Sequence, residues 1–177
     1  MKDEDIIVLD FLSRGHSESR KSEPIVQGIG DKFLSLLEVI VKEGSEVKNG
    51  NKLYIGEKER NEVKYIKGRI KYNDLTNFAK KELEYAIDKI IEENEKRFVD
   101  FFNIAKPITT RIHSLELLQG IGKKHMWAII KGRKEKKFES FDELKERVDM
   151  LPNPKNMIKK RIIEELKEKD RHRLFVS

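Results

Sequence analysis

Residues 115–132 read LELLQGIGKKHMWAIIKG, and the middle of this stretch decides how the chain is organised. Apolar residues at helical spacing flank the tetrapeptide Gln119-Gly120-Ile121-Gly122, so two helices are expected to meet at a tight glycine turn. Gly120 and Gly122 permit positive φ and let another backbone or a phosphate come close. Ile121 is expected to plug between the two helices. The N–H groups that open the second helix lack intrahelical partners and lie at the positive end of its dipole, which suits them to hold phosphate oxygens. Lys123 and Lys124 add charge at that mouth, and His125 follows them.

This spacing resembles the helix-hairpin-helix module of nucleic-acid-binding proteins. Such a hairpin grips backbone phosphates, so binding is expected to be salt-sensitive and to carry little base information. One departure is Met126, where the second helix of the module normally carries a small residue. The helices around DMLPNPKN (149–156) are read as a second, degenerate copy that, lacking the glycines, serves structure rather than binding, although Lys155, Lys159, Lys160 and Arg161 leave it a basic end. The same four letters occur at Gln27–Gly30, in PIVQGIGDKFLSLLEVI (24–40). There Asp31 and a strand-like run follow, so Gly28 and Gly30 are read as turn residues with no helix start to offer a phosphate.

Charge supports the contrast between the two halves. Residues 1–103 carry 19 Lys and Arg against 21 Asp and Glu, a balance of −2, whereas residues 104–177 carry 19 against 11, a balance of +8. A basic half on a balanced chain points to a polyanionic partner, with a lysine-rich solvated surface as the plainer alternative. The absence of cysteine rules out disulfides and cysteine-ligated metal sites. No run approaches the roughly 18 apolar residues of a membrane span, and the start MKDEDII is too acidic for a signal peptide, so a cytoplasmic protein is expected. Nucleotide-binding, zincin and nucleophile-elbow motifs are missing, and the carboxylates do not group in sequence. His113 and His125 bracket the hairpin and are read as surface or phosphate-facing side chains. The expectation is therefore a non-catalytic binder with no cofactor and no metal.

Outward from the hairpin the period changes. Residues 1–72 read as short strands (DIIVLDFL, KFLSLLEVIV, NKLYIG and EVKYIKGRIKY) separated by SRGHSESRKSEP and KEGSEVKNGN. A small antiparallel β-barrel is expected there, the oligonucleotide-binding (OB) type being one candidate. Residues 73–106 take helical spacing with a break near Asn94 and form the connector, its start capped by Asn73 or Asp74. Residues 107–177 read as short helices. The fold class is thus α+β: a barrel-like domain, a connecting helix and an all-helical domain. Secondary binding candidates in the first domain are Tyr65, Lys67, Arg69 and Lys71, which alternation puts on one strand face, and the loop residues Arg14, Arg20 and Lys21. An ordinary solvated face explains the same strip.

Taken together, LLEVIVKEG, YIGEKER, IKGRIKY, FFNIAKPITTRIHSLELLQGIGKK, FESFDELKERV and the closing LFV resemble the archaeal domain-of-unknown-function family DUF655 over nearly the full length. The resemblance implies a barrel-like first domain followed by a helix-hairpin-helix domain, in a setting of ribosomal and transcription components. That setting favours RNA over DNA as partner. The alternative is a module that docks on a ribosomal or transcription protein.

Overall fold

The computed structural model describes residues 2–20 and 22–177. Two compact units emerge, one comprising the chain up to Ile87 together with Glu165–Ser177, the other Asp88–Glu164. The expected boundaries at 72/73 and 106/107 follow the change of period; the units follow contacts.

The first unit is built on five antiparallel strands, β1 (Asp5–Leu12), β2 (Ile25–Gly30), β3 (Leu36–Val41), β4 (Lys52–Tyr54) and β5 (Val63–Arg69), in the order β4-β1-β2-β3-β5. The sheet curls into a half-barrel. No pairing joins β4 to β5 among the described residues, so the barrel expected from sequence is left open at that seam. Ile6, Val8, Val26, Leu37, Val39, Leu53 and Val63 pack in one buried cluster on one face of the sheet. A bulge between Val8 and Asp10 shifts the register by one, which returns Phe11 to the same face opposite Val26.

The strand β2 overturns the turn expected at Gln27–Gly30: these four residues lie inside it, fully buried. The glycines serve close approach rather than turning. A Cβ on Gly28 would lie 2.9 Å from Ile6 Cδ1 and 3.0 Å from the Ile7 carbonyl of the neighbouring strand.

On the opposite face, Asp10, Gln27 and Glu38 form a polar row across β1, β2 and β3. This row caps helix α1 (Asn77–Glu93). Thr76 Oγ1 donates to Asp10 Oδ2 (2.6 Å) and accepts from Ala79 N–H (3.0 Å), while Thr76 N–H donates to Gln27 Oε1 (2.9 Å). The helix start is therefore capped by Thr76, not by the expected Asn73 or Asp74, which sit in a preceding 3-10 turn. Glu38, at the end of the row, accepts from Gln27 (3.0 Å), His16 (2.6 Å) and Lys67 (2.8 Å). Burial would raise its carboxyl, but these three donors outweigh that and hold it below the usual range. A depressed carboxyl stabilises the fold above its unfolded pKa and loses that contribution as pH falls through its folded one. Glu38→Gln is thus expected to cost about 1–3 kcal/mol at neutral pH. In urea titrations the difference from wild type should shrink on acidification; an undiminished gap at acid pH would refute the account.

The second unit holds the end of α1, then α2 (Glu95–Ile104), α3 (Lys123–Glu135), α4 (Phe141–Arg147) and most of α5 (Pro154–Leu166). The α1/α2 break falls at Asn94, as the interrupted stripe predicts, with Asn94 Nδ2 donating back to the Ile90 carbonyl (2.9 Å). Phe98, Phe102, Leu115, Ile129, Phe138, Leu144 and Ile158 are buried and make its core. Ser140 caps α4, accepting from Glu143 N–H at 3.0 Å. The helix expected from ITTRIHSLELL is shorter: a bridge pairs Pro107 with His113, and a single 3-10 turn covers Ser114–Leu117.

Candidate nucleic-acid interface

Three local features put the start of α3 at the surface. Gly120 adopts φ +97°, a conformation closed to most side chains, and turns the chain sharply after Leu118. Ile121 N–H closes the turn on the Leu118 carbonyl (3.1 Å), and the Ile121 side chain is buried, as a plug requires. Gly122 then stands at the N-cap with φ −98°, so the positive φ expected there is not used; its lack of a Cβ leaves open space. No side chain caps α3, and Met126 N–H is the first to reach back, to the Gly122 carbonyl at 3.0 Å. The N–H groups of Lys123, Lys124 and His125 have no partner among the described residues. Met126 is buried, so the larger residue fits inside the helix packing.

The other end of α3 is firmly held. Arg147 donates to the Gly132 carbonyl (2.7 Å) and the Lys136 carbonyl (2.8 Å) and stacks 4.3 Å from the Phe138 ring centroid. Arg133 donates to the carbonyls of Phe102 (3.1 Å) and Ala105 (2.9 Å), closing the C-terminus of α2.

Charge at the mouth is not as sequence implies. Lys123 Nζ pairs with Glu116 Oε1 at 2.9 Å. Glu116 Oε2 also accepts the His113 N–H at 2.9 Å, and these two donors, Lys123 first, keep its carboxyl below the usual range and ionised. Lys124 is exposed and carries no ion pair among the described residues. His125 is half-buried beside it. His113 is buried rather than at the surface; its Nδ1 accepts from Leu115 N–H at 3.1 Å. Burial, followed by the nearby Arg133 charge, pushes its imidazole below the usual range and keeps it a neutral acceptor.

The segment DMLPNPKN repeats the turn. Leu118 and Val148 are buried, Gly120 and Met150 both take positive φ (97° and 53°), and Ile121 and Leu151 are buried. Leu151 N–H closes on the Val148 carbonyl at 3.4 Å, as Ile121 does on Leu118. A Cβ at Gly120 would lie 3.0 Å from Pro152 Cγ, so the two turns touch. The basic end expected there is largely engaged. Lys155 pairs with Glu92, Lys159 with Asp88 (2.7 Å), and Arg161 is buried; Lys160 alone of the four is exposed.

Residues 2–177 match a family profile described as "Protein of unknown function (DUF655)". The chain belongs to the DUF655 family. A relative from Methanocaldococcus jannaschii, "Uncharacterized protein MJ0038", is 45% identical over 172 residues, which cover 96% of this chain and 78% of the relative. The crystal structure of the DUF655 protein Af1531 from Archaeoglobus fulgidus is similar at 43% identity, with a TM-score of 0.89 over 99% of this chain and 100% of that one.

In this DUF655 chain the secondary candidates do not gather at the hairpin. Tyr65 and Lys67 project from β5, the Tyr65 hydroxyl donating to Glu23 (3.1 Å) and Lys67 to Glu38 (2.8 Å). Arg69 donates to the Ser177 carbonyl (3.2 Å), and Lys71 pairs with Glu168 (3.5 Å). Each member of the strip is thus tied to another part of its own unit. Arg14 and Arg20 are exposed on the β1–β2 loop, and Lys21 lies outside the described residues. Two features escaped the sequence reading. One is a groove of about 910 Å³ at the open β4/β5 seam, lined by Asp3, Leu37, Tyr54, Ile55, Arg60 and Arg69. The other is Trp127, 63% exposed on α3, whose signal in sequence is its lysine neighbours at helical spacing. Among the described residues no group of three or more His, Asp or Glu is placed to hold a metal ion, and no helix is long and apolar enough to cross a membrane.

Proposed function

We propose that this protein binds nucleic acid, RNA in preference to DNA, by seating a backbone phosphate on the amides that open α3, and acts through binding rather than catalysis. The observation that carries the reading is the exposed helix start behind Gly120 and Gly122, where, among the described residues, three N–H groups lack partners and Lys124 beside them has no ion pair. Two touching turns of like geometry support a paired helix-hairpin-helix arrangement. Five antiparallel strands in a partly open barrel agree with an OB-like first unit, although its basic strip is occupied internally. The preference for RNA rests on the ribosomal and transcription setting that the family resemblance implies.

Fluorescence anisotropy of a labelled RNA against rising salt tests the reading. Affinity should fall steeply with salt, and Lys124→Ala should reduce the log–log slope by about 1. Lys123→Ala should matter less, because Glu116 already neutralises that charge. Glu116→Gln retains an acceptor for His113 N–H while removing the carboxylate, so it should tighten binding a few-fold. Salt-independent binding unchanged by Lys124→Ala would sink the proposal and favour a protein dock, as would a protein partner that survives nuclease treatment.

A further inference from the structure

The exposed face of α3 continues beyond its first turn. At about 100° per residue, Lys124, Trp127, Ala128, Lys131 and Lys134 fall on one side, opposite the buried Met126 and Ile129, and all five are exposed. Trp127 is the chain's one tryptophan and is 63% exposed. Its neighbours at i−4, i−3 and i+4 are Lys123, Lys124 and Lys131, and the residue beside it, Ala128, is too small to cover the ring. Helix α3 carries five basic residues (Lys123, Lys124, Lys131, Arg133, Lys134) against one acidic (Glu135). No cation stacks on the Trp127 ring among the described residues.

An aromatic ring left in water forgoes the burial that most large apolar side chains find, and a lone exposed one is common enough. A ring bracketed by lysines on one helical face is different. Cβ atoms three or four residues apart on a helix stand about 5–6 Å from each other, so Lys124 and Lys131 are within reach of a strand that meets the ring. This is the combination that binds single strands: a flat face for a base and positive charge for the phosphates on either side. In a duplex the base faces are already stacked on one another, and a surface tryptophan has nothing to meet. An apolar protein partner would have to bury these lysines against opposite charge.

We infer that Trp127 stacks on an unpaired nucleobase, so that the interface selects single-stranded nucleic acid over duplex. This rests on the proposed phosphate seat at the start of α3 and adds the nature of the strand it holds. Because Trp127 is the sole tryptophan, its emission reports directly on the site. Labelled 12-nucleotide RNA and DNA, each single-stranded and duplex, serve as probes with the full-length chain. Either single strand should quench Trp127 emission and bind more tightly than its duplex. By anisotropy, Trp127→Ala should weaken single-strand binding about 5- to 150-fold, leave duplex binding within about two-fold, and be largely rescued by Trp127→Phe. Salt-dependent single-strand binding that Trp127→Ala leaves intact, or unchanged emission at saturation, overturns this inference and leaves the phosphate seat standing. If no probe binds, or if binding is independent of salt and unchanged by Lys124→Ala, the phosphate seat falls and the stacking with it.

Discussion

Replacing Glu165 with alanine should lower the stability of the folded chain by about 3–5 kcal/mol, the largest loss expected from any single polar side chain here. Glu165 has no solvent exposure, and its carboxylate accepts three consecutive backbone N–H groups, Leu174 at 2.7 Å, Phe175 at 3.0 Å and Val176 at 2.9 Å. Without it those three N–H groups lose this acceptor, and the closing Leu174-Phe175-Val176 segment loses its anchor. Glu165→Gln keeps an acceptor but only one oxygen, so it should fall between. Urea unfolding followed by circular dichroism measures both. A Glu165→Ala midpoint within error of wild type would mean that the tail is not held by this carboxylate.

Gly120→Val is the second large effect, and it acts on stability and binding together. The backbone at φ +97° is strained for any side chain, and the new Cβ would press on Pro152 Cγ at 3.0 Å, where the second turn leaves little room to yield. Strain and overpacking together are expected to cost about 2–5 kcal/mol. Because the turn aims α3, binding of the labelled RNA should fall more than ten-fold in whatever fraction stays folded. Gly122→Ala is the contrasting case. Its φ of −98° suits any residue and its Cβ meets nothing within 4 Å, so stability should stay within about 1 kcal/mol while the methyl crowds the proposed phosphate seat. Equal effects of the two substitutions on thermal midpoint would contradict this division of labour.

Much of this architecture is legible in the residues, and the exceptions have physical reasons. Helical spacing and its interruption at Asn94 show where α1 gives way to α2, because a buried stripe must keep its period. The Gly-Ile-Gly-Lys-Lys stretch marks the start of α3 for the same reason that it is exposed: few other residues permit that turn. Strand β2 was hidden, since Gln27-Gly28-Ile29-Gly30 has turn composition. Its glycines answer to Ile6 on the neighbouring strand, a contact that no local pattern contains. The identical tetrapeptide is therefore strand in one place and hairpin in the other, decided by tertiary neighbours. The pairing of Lys123 with Glu116 was similarly out of view, although seven residues separate them, because it depends on a 3-10 turn where a longer helix was expected. The lysines around Trp127 were in plain sight; what sequence withheld was that the ring faces outward.

The first unit draws its members from both extremities of the chain, with the whole second unit inserted between Ile87 and Glu165. Ser177 N–H reaches the Phe33 carbonyl at 3.2 Å, across 144 residues of sequence. A fragment cut after α1 would hold all five strands but lack the segment that seals them, whereas residues 88–164 form an uninterrupted piece. Anyone dividing this protein for study should therefore excise the middle, not halve it.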